Sequence, residues 1–383
     1  MESSQGQNVQ FIPVNKPLRR VQIESCPVES VYDLREDDES DVYDDARAFR
    51  RPRSNSSDFL ILRKTSRPVS VDVVGFLDNH SDPYKQYMEV VDCYELAPHA
   101  GRVILIDSKM TLQQAYKVFI EWNISSAVVW CSKLERVTAV LSLTDFLVSL
   151  FSDDNKESVS VEETVSGKNL VWLDSSCKLL EACYEFFSSR VRRVVIASDH
   201  SGDVLFLLTI KRVLQAVHKQ NRSLHFASWL NWEIKKSKIG TWKNLHTVTI
   251  NETNNLETAA RKMLEHDISS LPILNTNNYP VDVLTKTDIA YALANAKNFK
   301  EQCRKLTAID VVRNRQPMRF LYETNNVNQI LDFALSRKDC QCVFVTSPTS
   351  GQLTGAISLS DFMAYILNNG PAPVSEKWKS NHQ

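Results

Sequence analysis

Residues 141–146 read LSLTDF, and a similar pattern occurs three more times further along the chain. The counterparts are LTIKRV at 208–213, LTKTDI at 284–289 and ISLSDF at 357–362. Each copy leads into a stretch of periodic apolar residues, so each predicts the end of a strand followed by the start of a helix. The fifth positions are separated by 67, 76 and 73 residues. This near-constant spacing indicates an internal repeat.

Two further landmarks recur at similar distances before these four stretches. Short β-branched segments typical of buried strands are ISSAVVW at 124–130, VRRVVIA at 191–197, ISSLPIL at 268–274 and DCQCVFV at 339–345. Helix starts are TLQQA at 111–115, CKLLEA at 177–182, NLETA at 255–259 and NVNQI at 326–330, two of them with capping-box spacing. Short strands such as VILID at 103–107 precede the helices. The chain therefore contains four copies of a strand-helix-strand-strand-helix unit, and two pairs of units can bury their sheet faces.

The repeats divide the chain into segments with clear boundaries. We predict a tail at 1–85, repeats at 86–150, 165–220, 240–297 and 307–370, a linker at 221–239 and a C-terminal tail at 371–383. Residues 33–45 hold eight acids and one base, and Ser, Pro and Arg dominate after them. Such a segment buries little apolar surface, which predicts disorder. The tail is either a solvated charged segment or a phosphorylation switch, because RPRS at 51–54 and RKTS at 63–66 place hydroxyls after basic residues.

Composition excludes several classes of protein. The net charge is −1, so the whole chain is not a binder of nucleic acid or of membrane surfaces. Only nine glycines occur and none forms G-x-G, which excludes the dinucleotide fingerprint and the P-loop. The eight histidines are scattered and no catalytic motif is present, so we expect no enzyme, no metal and no prosthetic cofactor. A polar start and no apolar run of ~18 residues indicate an intracellular protein, in which the eight cysteines are reduced.

The repeat resembles the CBS domain, which occurs in tandem pairs called Bateman modules. Four copies in one chain resemble the gamma subunit of AMP-activated protein kinase, over about residues 88–370. The stretches that carry the resemblance are CYELAP at 93–98, LTIKR at 208–212, IGTW at 239–242 and ISLSD at 357–361. The implied fold is α/β (α+β), with four CBS repeats arranged as two Bateman modules in a flat, pseudo-symmetric disc.

The resemblance also implies where adenine nucleotides would bind. In the family, the aspartate after the last strand holds the ribose diol, a nearby hydroxyl helps, and basic residues hold the phosphates. The positions in this sequence are Asp361, Asp145 and Asp288 for the ribose, Ser358, Ser142, Thr285 and Ser269 for the hydroxyls, and Arg192, Arg193 and Lys211 for the phosphates. A carboxylate at a helix N-terminus accepts two hydrogen bonds from a vicinal diol. Each aspartate could equally be an ordinary helix cap. Arg212 replaces the aspartate of the second repeat, so that site would be empty.

The phosphate cluster is where the sequence departs from the family pattern. Ser125 in the first repeat, and Cys340 and Gln341 in the fourth, stand where basic residues are expected. Each hydrogen bond to a charged group contributes about 1.5–3 kcal/mol, so the loss of two weakens a site about 100-fold or more. We therefore expect the Asp361 site to be the best preserved, the Asp288 site the worst, and the Asp145 site intermediate.

The function implied is that of a non-catalytic regulatory subunit of a heterotrimeric AMP-activated protein kinase. It would bind AMP, ADP and ATP weakly or at few sites, in the cytoplasm and also the nucleus. Its partners would be a catalytic alpha subunit and a scaffold beta subunit, with residues 88–98 as the segment at which to seek a partner strand. Two alternatives stay open: a nucleotide-insensitive scaffold gamma subunit, and a free-standing CBS adenine-nucleotide-binding module.

Overall fold

The computed structural model describes residues 82–368, except 99–101, 152–158, 221–227, 297, 314 and 339, together with three short strands before residue 82. The first of these strands, β1 (Val9–Pro13), pairs antiparallel with a strand of the first repeat. The other two, β2 (Leu62–Lys64) and β3 (Val71–Val73), pair with each other. Most of the predicted tail at 1–85, including the acidic run, lies outside the described residues, as does the C-terminal tail at 371–383.

Each repeat has the predicted order of strand, helix, two strands and helix. Repeat 1 comprises β4 (Arg102–Asp107), α2 (Leu112–Glu121), β5 (Ser126–Cys131), β6 (Arg136–Ser142) and α3 (Leu143–Phe151), after an N-terminal α1 (Pro83–Val90) and a 3-10 helix (Cys93–Leu96). After the short α4 (Val161–Val165), repeat 2 comprises β7 (Trp172–Asp174), α5 (Leu179–Ser188), β8 (Arg193–Ala197), β9 (Val204–Thr209) and α6 (Ile210–Lys219).

The second half of the chain repeats this plan. A 3-10 helix (Ser228–Asn231), α7 (Ile234–Ser237) and a further 3-10 helix (Leu245–Val248) form the linker into it. Repeat 3 comprises β10 (Ile250–Asn251), α8 (Leu256–Glu265), β11 (Ser270–Leu274), β12 (Pro280–Thr285) and α9 (Lys286–Leu293). After α10 (Phe299–Lys305) and α11 (Ala308–Val312), repeat 4 comprises β13 (Leu321–Tyr322), α12 (Val327–Ser336), β14 (Cys342–Thr346), β15 (Leu353–Ser358) and α13 (Leu359–Asn368).

The four sheets share one topology. In each repeat the first strand is parallel to the second, and the second is antiparallel to the third. The two capping boxes predicted at Thr111 and Asn326 are present. Each cap side chain accepts a hydrogen bond from the backbone N–H three residues on, and the Gln side chain there accepts one from the backbone N–H of the cap residue. This satisfies N–H groups that the first helical turn leaves unpaired.

Hydrophobic contacts join the repeats in a definite pattern. Repeats 2 and 4 share one core through their helices, and α1 packs into it. Repeats 1 and 3 have cores of their own that meet where Ala290 enters the first and Leu147 enters the second. The sheets of repeats 1 and 2 bury a further cluster, which includes Val128 and Val195. The linker joins repeat 4 through reciprocal backbone hydrogen bonds between Thr241 and Ala356.

The segment 88–98 is packed inside this assembly. Met88 and Cys93 are fully buried in the core that repeats 2 and 4 share. The backbone N–H of Cys93 donates to the carbonyl of Cys177 at 2.9 Å, and that of Tyr94 donates to Ser175 at 2.9 Å. These amides are therefore paired within the chain. Over the described ranges, none of the helices has the length and apolar character required to cross a bilayer.

Candidate functional site

A chamber of about 810 Å³ lies where the four repeats meet, within the range of roughly 300–1,000 Å³ typical of ligand pockets. We call it the central chamber. Eight of the ten residues named as binding candidates line it: Ser142, Arg192, Arg193, Lys211, Ser269, Thr285, Ser358 and Asp361. The other two, Asp145 and Asp288, are not part of its lining. The repeats thus bring together side chains that are more than 200 residues apart in the sequence.

Asp361 projects from the first turn of α13 into the central chamber. Its Oδ2 accepts hydrogen bonds from the backbone N–H and the hydroxyl of Ser358, at 2.7 and 2.8 Å. Within the described part of the chain no donor reaches the second oxygen, Oδ1. Asp361 is therefore a helix cap that keeps one carboxylate oxygen available to a ligand.

Asp145 occupies the equivalent position in α3, but both of its oxygens have partners. Oδ2 accepts from the N–H and hydroxyl of Ser142, at 2.7 and 3.0 Å. Oδ1 pairs with the ammonium of Lys168, in the loop that leads into repeat 2. The Asp145 side chain is only 9% exposed, so the carboxylate of this ion pair is largely shielded from water.

Asp288 in α9 is paired in the same way. Its Oδ2 accepts from the N–H and hydroxyl of Thr285, at 2.8 and 2.7 Å. The guanidinium of Arg315 donates to Oδ1 at 3.0 Å and also contacts Asp282 and two backbone carbonyls. Arg315 therefore neutralises the repeat-3 carboxylate from within the chain.

The two adjacent arginines both reach the central chamber, although adjacent strand residues face opposite sides. The reason is that β8 begins only at Arg193, so Arg192 precedes the strand. Arg192 donates to the hydroxyl of Ser269 at 2.6 Å and pairs with Asp267 at 3.0 Å. Arg193 donates to the hydroxyl of Ser125 at 2.9 Å, and burial lowers its pKa to about 10.

Two further basic residues of repeat 2 lie at the edge of the chamber and are held by carbonyl oxygens. Lys211 donates to the backbone carbonyls of Arg337 and Lys338 in repeat 4. Arg212 donates to the carbonyl of Leu96 at 2.7 Å, and burial lowers its pKa. No carboxylate occupies this position, so repeat 2 lacks the acceptor that the other repeats have.

Lys286 is a chamber residue that the sequence analysis missed. It opens α9, is 6% exposed, and its ammonium bonds the Thr144 hydroxyl of repeat 1 at 3.0 Å. Burial, and after it the positive charge of Arg192, lower its pKa to about 8. The other repeats have Leu143, Ile210 and Leu359 at this position. A lysine at an otherwise apolar repeat position was the available signal.

The strand register corrects the comparison made for repeat 4. Arg193 lies opposite Thr209, and Cys342 lies opposite the equivalent Ser358. The counterparts of Arg192 and Arg193 are therefore Gln341 and Cys342, not Cys340 and Gln341. Gln341 and Cys342 line the chamber, whereas Cys340 is buried elsewhere. Neither Gln341 nor Cys342 is basic, so repeat 4 still lacks the basic residues expected from the family pattern. Burial raises the pKa of the Cys342 thiol, so this residue contributes no charge at neutral pH.

The chamber wall carries an excess of positive charge. Its cations are Arg192, Arg193, Lys211, Arg212, Lys286 and Lys338, against the two acids Asp267 and Asp361. Such a wall attracts anions because like charges are held close together with few counter-charges. In the part of the chain with described side chains, no group of three or more His, Cys, Asp or Glu is arranged to hold a metal ion. This arrangement of charges suits an anion that also carries hydroxyl or amine donors for Asp361.

Comparisons with known proteins agree with this architecture. The CBS domain family model matches residues 242–295. This range covers repeat 3, whose strand topology the other three repeats share. The chain is 24% identical to the 5'-AMP-activated protein kinase subunit gamma-3 of Sus scrofa over 305 residues, or 74% of this chain and 57% of that protein. The human gamma-3 subunit gives 24% identity over 305 residues, or 74% of this chain and 60% of that protein. The chain thus spans less than two thirds of the length of these relatives.

The fold of the chain also has a solved counterpart. The crystal structure of a Methanocaldococcus jannaschii protein, described as a candidate archaeal homologue of g-AMPK, superposes with a TM-score of 0.59 at 15% identity. The match covers 72% of this chain and 99% of that one. The predicted resemblance to gamma subunits and the predicted fold of four CBS repeats are therefore confirmed.

Proposed function

We propose that this CBS-repeat protein is a non-catalytic regulatory subunit of an AMP-activated protein kinase heterotrimer. It binds one adenine nucleotide (AMP, ADP or ATP) in the central chamber, and binding biases the activity of the kinase. The single observation that carries the proposal is Asp361, whose free carboxylate oxygen faces a chamber lined by basic side chains. The similarity to gamma-3 subunits supports the choice of ligand and partners.

The surroundings of Asp361 provide complementary groups for each part of a nucleotide. The carboxylate accepts from the ribose diol, and Ser358 keeps it aimed. Arg192 and Ser269, already in contact with each other at 2.6 Å, bind phosphate. The 3-10 helix that contains Leu245 packs beside β15 and lines the chamber with Val248. These apolar side chains form a wall for the adenine ring.

The partners follow from the same similarity. The chain assembles with a catalytic alpha subunit and a scaffold beta subunit, in the cytoplasm and nucleus. Because the amides of residues 93 and 94 are already paired, a partner strand would have to use another edge or displace these bonds. Co-purification of alpha and beta subunits with the tagged chain checks the assembly. A chain that purifies alone but binds nucleotide would instead be a free-standing CBS module.

The test of the site is Asp361→Ala, with calorimetric titration of AMP, ADP and ATP into the chain co-expressed with its partners. We expect binding to fall at least 100-fold, because Asp361 is the one ribose candidate among the described residues that keeps an unpaired carboxylate oxygen. The matched control is Asp310→Ala. Asp310 caps α11 through Thr307 in the same way but lies outside the chamber lining, so its loss costs a helix cap without touching the site. Unchanged binding in Asp361→Ala overturns the proposal, and no binding to an intact wild-type trimer indicates a nucleotide-insensitive scaffold.

A further inference from the structure

Lys168 and Arg315 hold equivalent positions in the two halves of the chain. Lys168 follows the five-residue helix α4, and its N–H donates to the carbonyl of Val165 at 3.1 Å. Arg315 follows the five-residue helix α11, and its N–H donates to the carbonyl of Val312 at 3.2 Å. Each cation then pairs with the aspartate of the repeat before it. The same ion pair, between a cation after a short helix and the aspartate of the preceding repeat, therefore occurs twice, once in each loop that joins the two repeats of a module.

We propose that Lys168 is an internal counter-ion that closes a second adenine-nucleotide site, and that its removal opens that site at Asp145. The inference rests on the proposed function, because it assigns which carboxylates can take a ribose. It explains why one site is proposed. Asp145 and Asp288 are paired with cations of the chain, repeat 2 has Arg212, and among these described positions Asp361 alone keeps a free oxygen.

A ribose diol competes poorly with these cations. To bind Asp145, a neutral diol has to displace the ammonium of Lys168 from a carboxylate that is 9% exposed. The displaced lysine loses its counter-charge, and breaking a shielded ion pair is strongly unfavourable. Hydrogen bonds from two hydroxyls replace an interaction between full charges, so the closed arrangement is favoured.

The space and the phosphate groups for a second site are already present. Ser142, Thr144 and Ser125 line the chamber next to α3. The ammonium of Lys286 bonds Thr144, and the guanidinium of Arg193 bonds Ser125. Repeat 1 therefore lacks its own arginine at position 125 but borrows cations from repeats 2 and 3. What these groups lack is a free carboxylate, because that of Asp145 is paired with Lys168.

Lys168 is the better residue to change. Its ammonium has Asp145 as its one partner within the described ranges, and its side chain is 34% exposed. Arg315 in contrast also holds Asp282 and two carbonyls, so its removal would disturb the fold. Replacing Lys168 with methionine keeps the aliphatic bulk and removes only the charge.

The experiment measures binding stoichiometry by calorimetry with AMP and with ATP, on the 383-residue chain and its variants. We expect one site in wild type, two in Lys168→Met, none in Asp361→Ala, and one in the double variant Lys168→Met with Asp361→Ala. Lys168→Arg keeps the charge and should keep one site. Lys305→Met, which removes an exposed lysine paired with Glu301, is the matched control and should also keep one.

The outcomes separate this inference from the proposed function. One site in both wild type and Lys168→Met, with none in the double variant, overturns the inference alone. No site in wild type but one in Lys168→Met overturns the Asp361 site and supports the counter-ion. No binding in either overturns both. Thermal unfolding without ligand checks that each variant is folded, and a Lys168→Met chain that unfolds below the assay temperature is replaced by Lys168→Gln.

Discussion

At the scale of single residues, the site depends on which charges lie next to one another. The sequence named eight residues that line the chamber, because the repeat positions and the resemblance to gamma subunits together located the hydroxyl, aspartate and basic candidates. It did not reveal that Lys168 and Arg315 would neutralise two of the aspartates, since neither lies in a repeated motif. The shift by one residue at Cys340 has a similar cause, because cysteines stand on both sides of Gln341 and only strand pairing fixes the register.

Lys286 gives a prediction for stability as a function of pH. Its pKa is about 8 in the folded chain, whereas the ordinary pKa of a lysine in an unfolded chain is 10.5, so above pH 8 the unfolded state binds more protons. The free energy of unfolding should therefore rise between pH 8 and pH 10.5, by roughly 3 kcal/mol, relative to a chain without this group. The measurement is chemical denaturation of wild type and Lys286→Met across this range.

The variant serves as the reference because other groups titrate in the same range. The neighbours of Lys286 are Arg192, Asp267, Asp145 and Arg193, and all of them remain in Lys286→Met. Nucleotide affinity gives a second measurement, since only the protonated lysine attracts phosphate. Affinity should fall above pH 8 in wild type and change less in Lys286→Met. If nucleotide affinity changed with pH in the same way in wild type and Lys286→Met, the assignment of this pKa to Lys286 would be contradicted.

At the scale of elements, hydroxyl-to-aspartate caps decide where the last helix of each repeat begins. These caps are visible in the sequence, so the strand-to-helix junctions near 142, 285 and 358 could be predicted. The short helices α4 and α11 could not, because five residues show no reliable helical period. They prove important because they place Lys168 and Arg315.

The linker into repeat 3 gives a prediction at the same scale. Gly240 has a φ of +90°, and a Cβ there would lie 2.6 Å from the carbonyl oxygen of Ala356. Gly240→Ala should lower the free energy of unfolding by about 2 kcal/mol or more, since it adds a backbone clash to the cost of a left-handed conformation. Gly202→Ala is the control: Gly202 has a φ of +67° with nothing near its Cβ position, so only the conformational cost applies. Equal losses by denaturation would show that the linker moves to relieve the clash.

At the scale of the whole molecule, repeats 2 and 4 share one hydrophobic core, so we expect them to unfold as one cooperative unit. Helix α1 contributes Tyr84 and Met88 to that core, and the Tyr84 hydroxyl bonds His218, which in turn bonds Asp332 of repeat 4 at 2.5 Å. Periodicity predicts each repeat separately, but it cannot predict which repeats share a core. That choice depends on the shapes of helix faces that are far apart in the sequence.

The shared core of repeats 2 and 4 can be distinguished from the separate core of repeat 3 by substituting one fully buried methionine in each. Met88→Ala should cost about 2–5 kcal/mol and reduce amide protection in repeats 2 and 4 together. Met263→Ala, in the separate core of repeat 3, should reduce protection mainly there. Hydrogen exchange followed by mass spectrometry reports both patterns. A uniform loss across all four repeats in both variants would mean that the molecule unfolds as one unit.

The contact of Arg192 with Ser269 means that one ligand would join repeat 3 to repeats 2 and 4, which have a different core. A nucleotide held by Asp361, Arg192 and Ser269 touches repeats 4, 2 and 3 simultaneously. By thermodynamic linkage, whatever factor the ligand adds to the association of these repeats is the factor by which their association improves its affinity. The stability of the association between these repeats would then depend on the ligand concentration. A partner that contacts two of the repeats would respond to the same ligand.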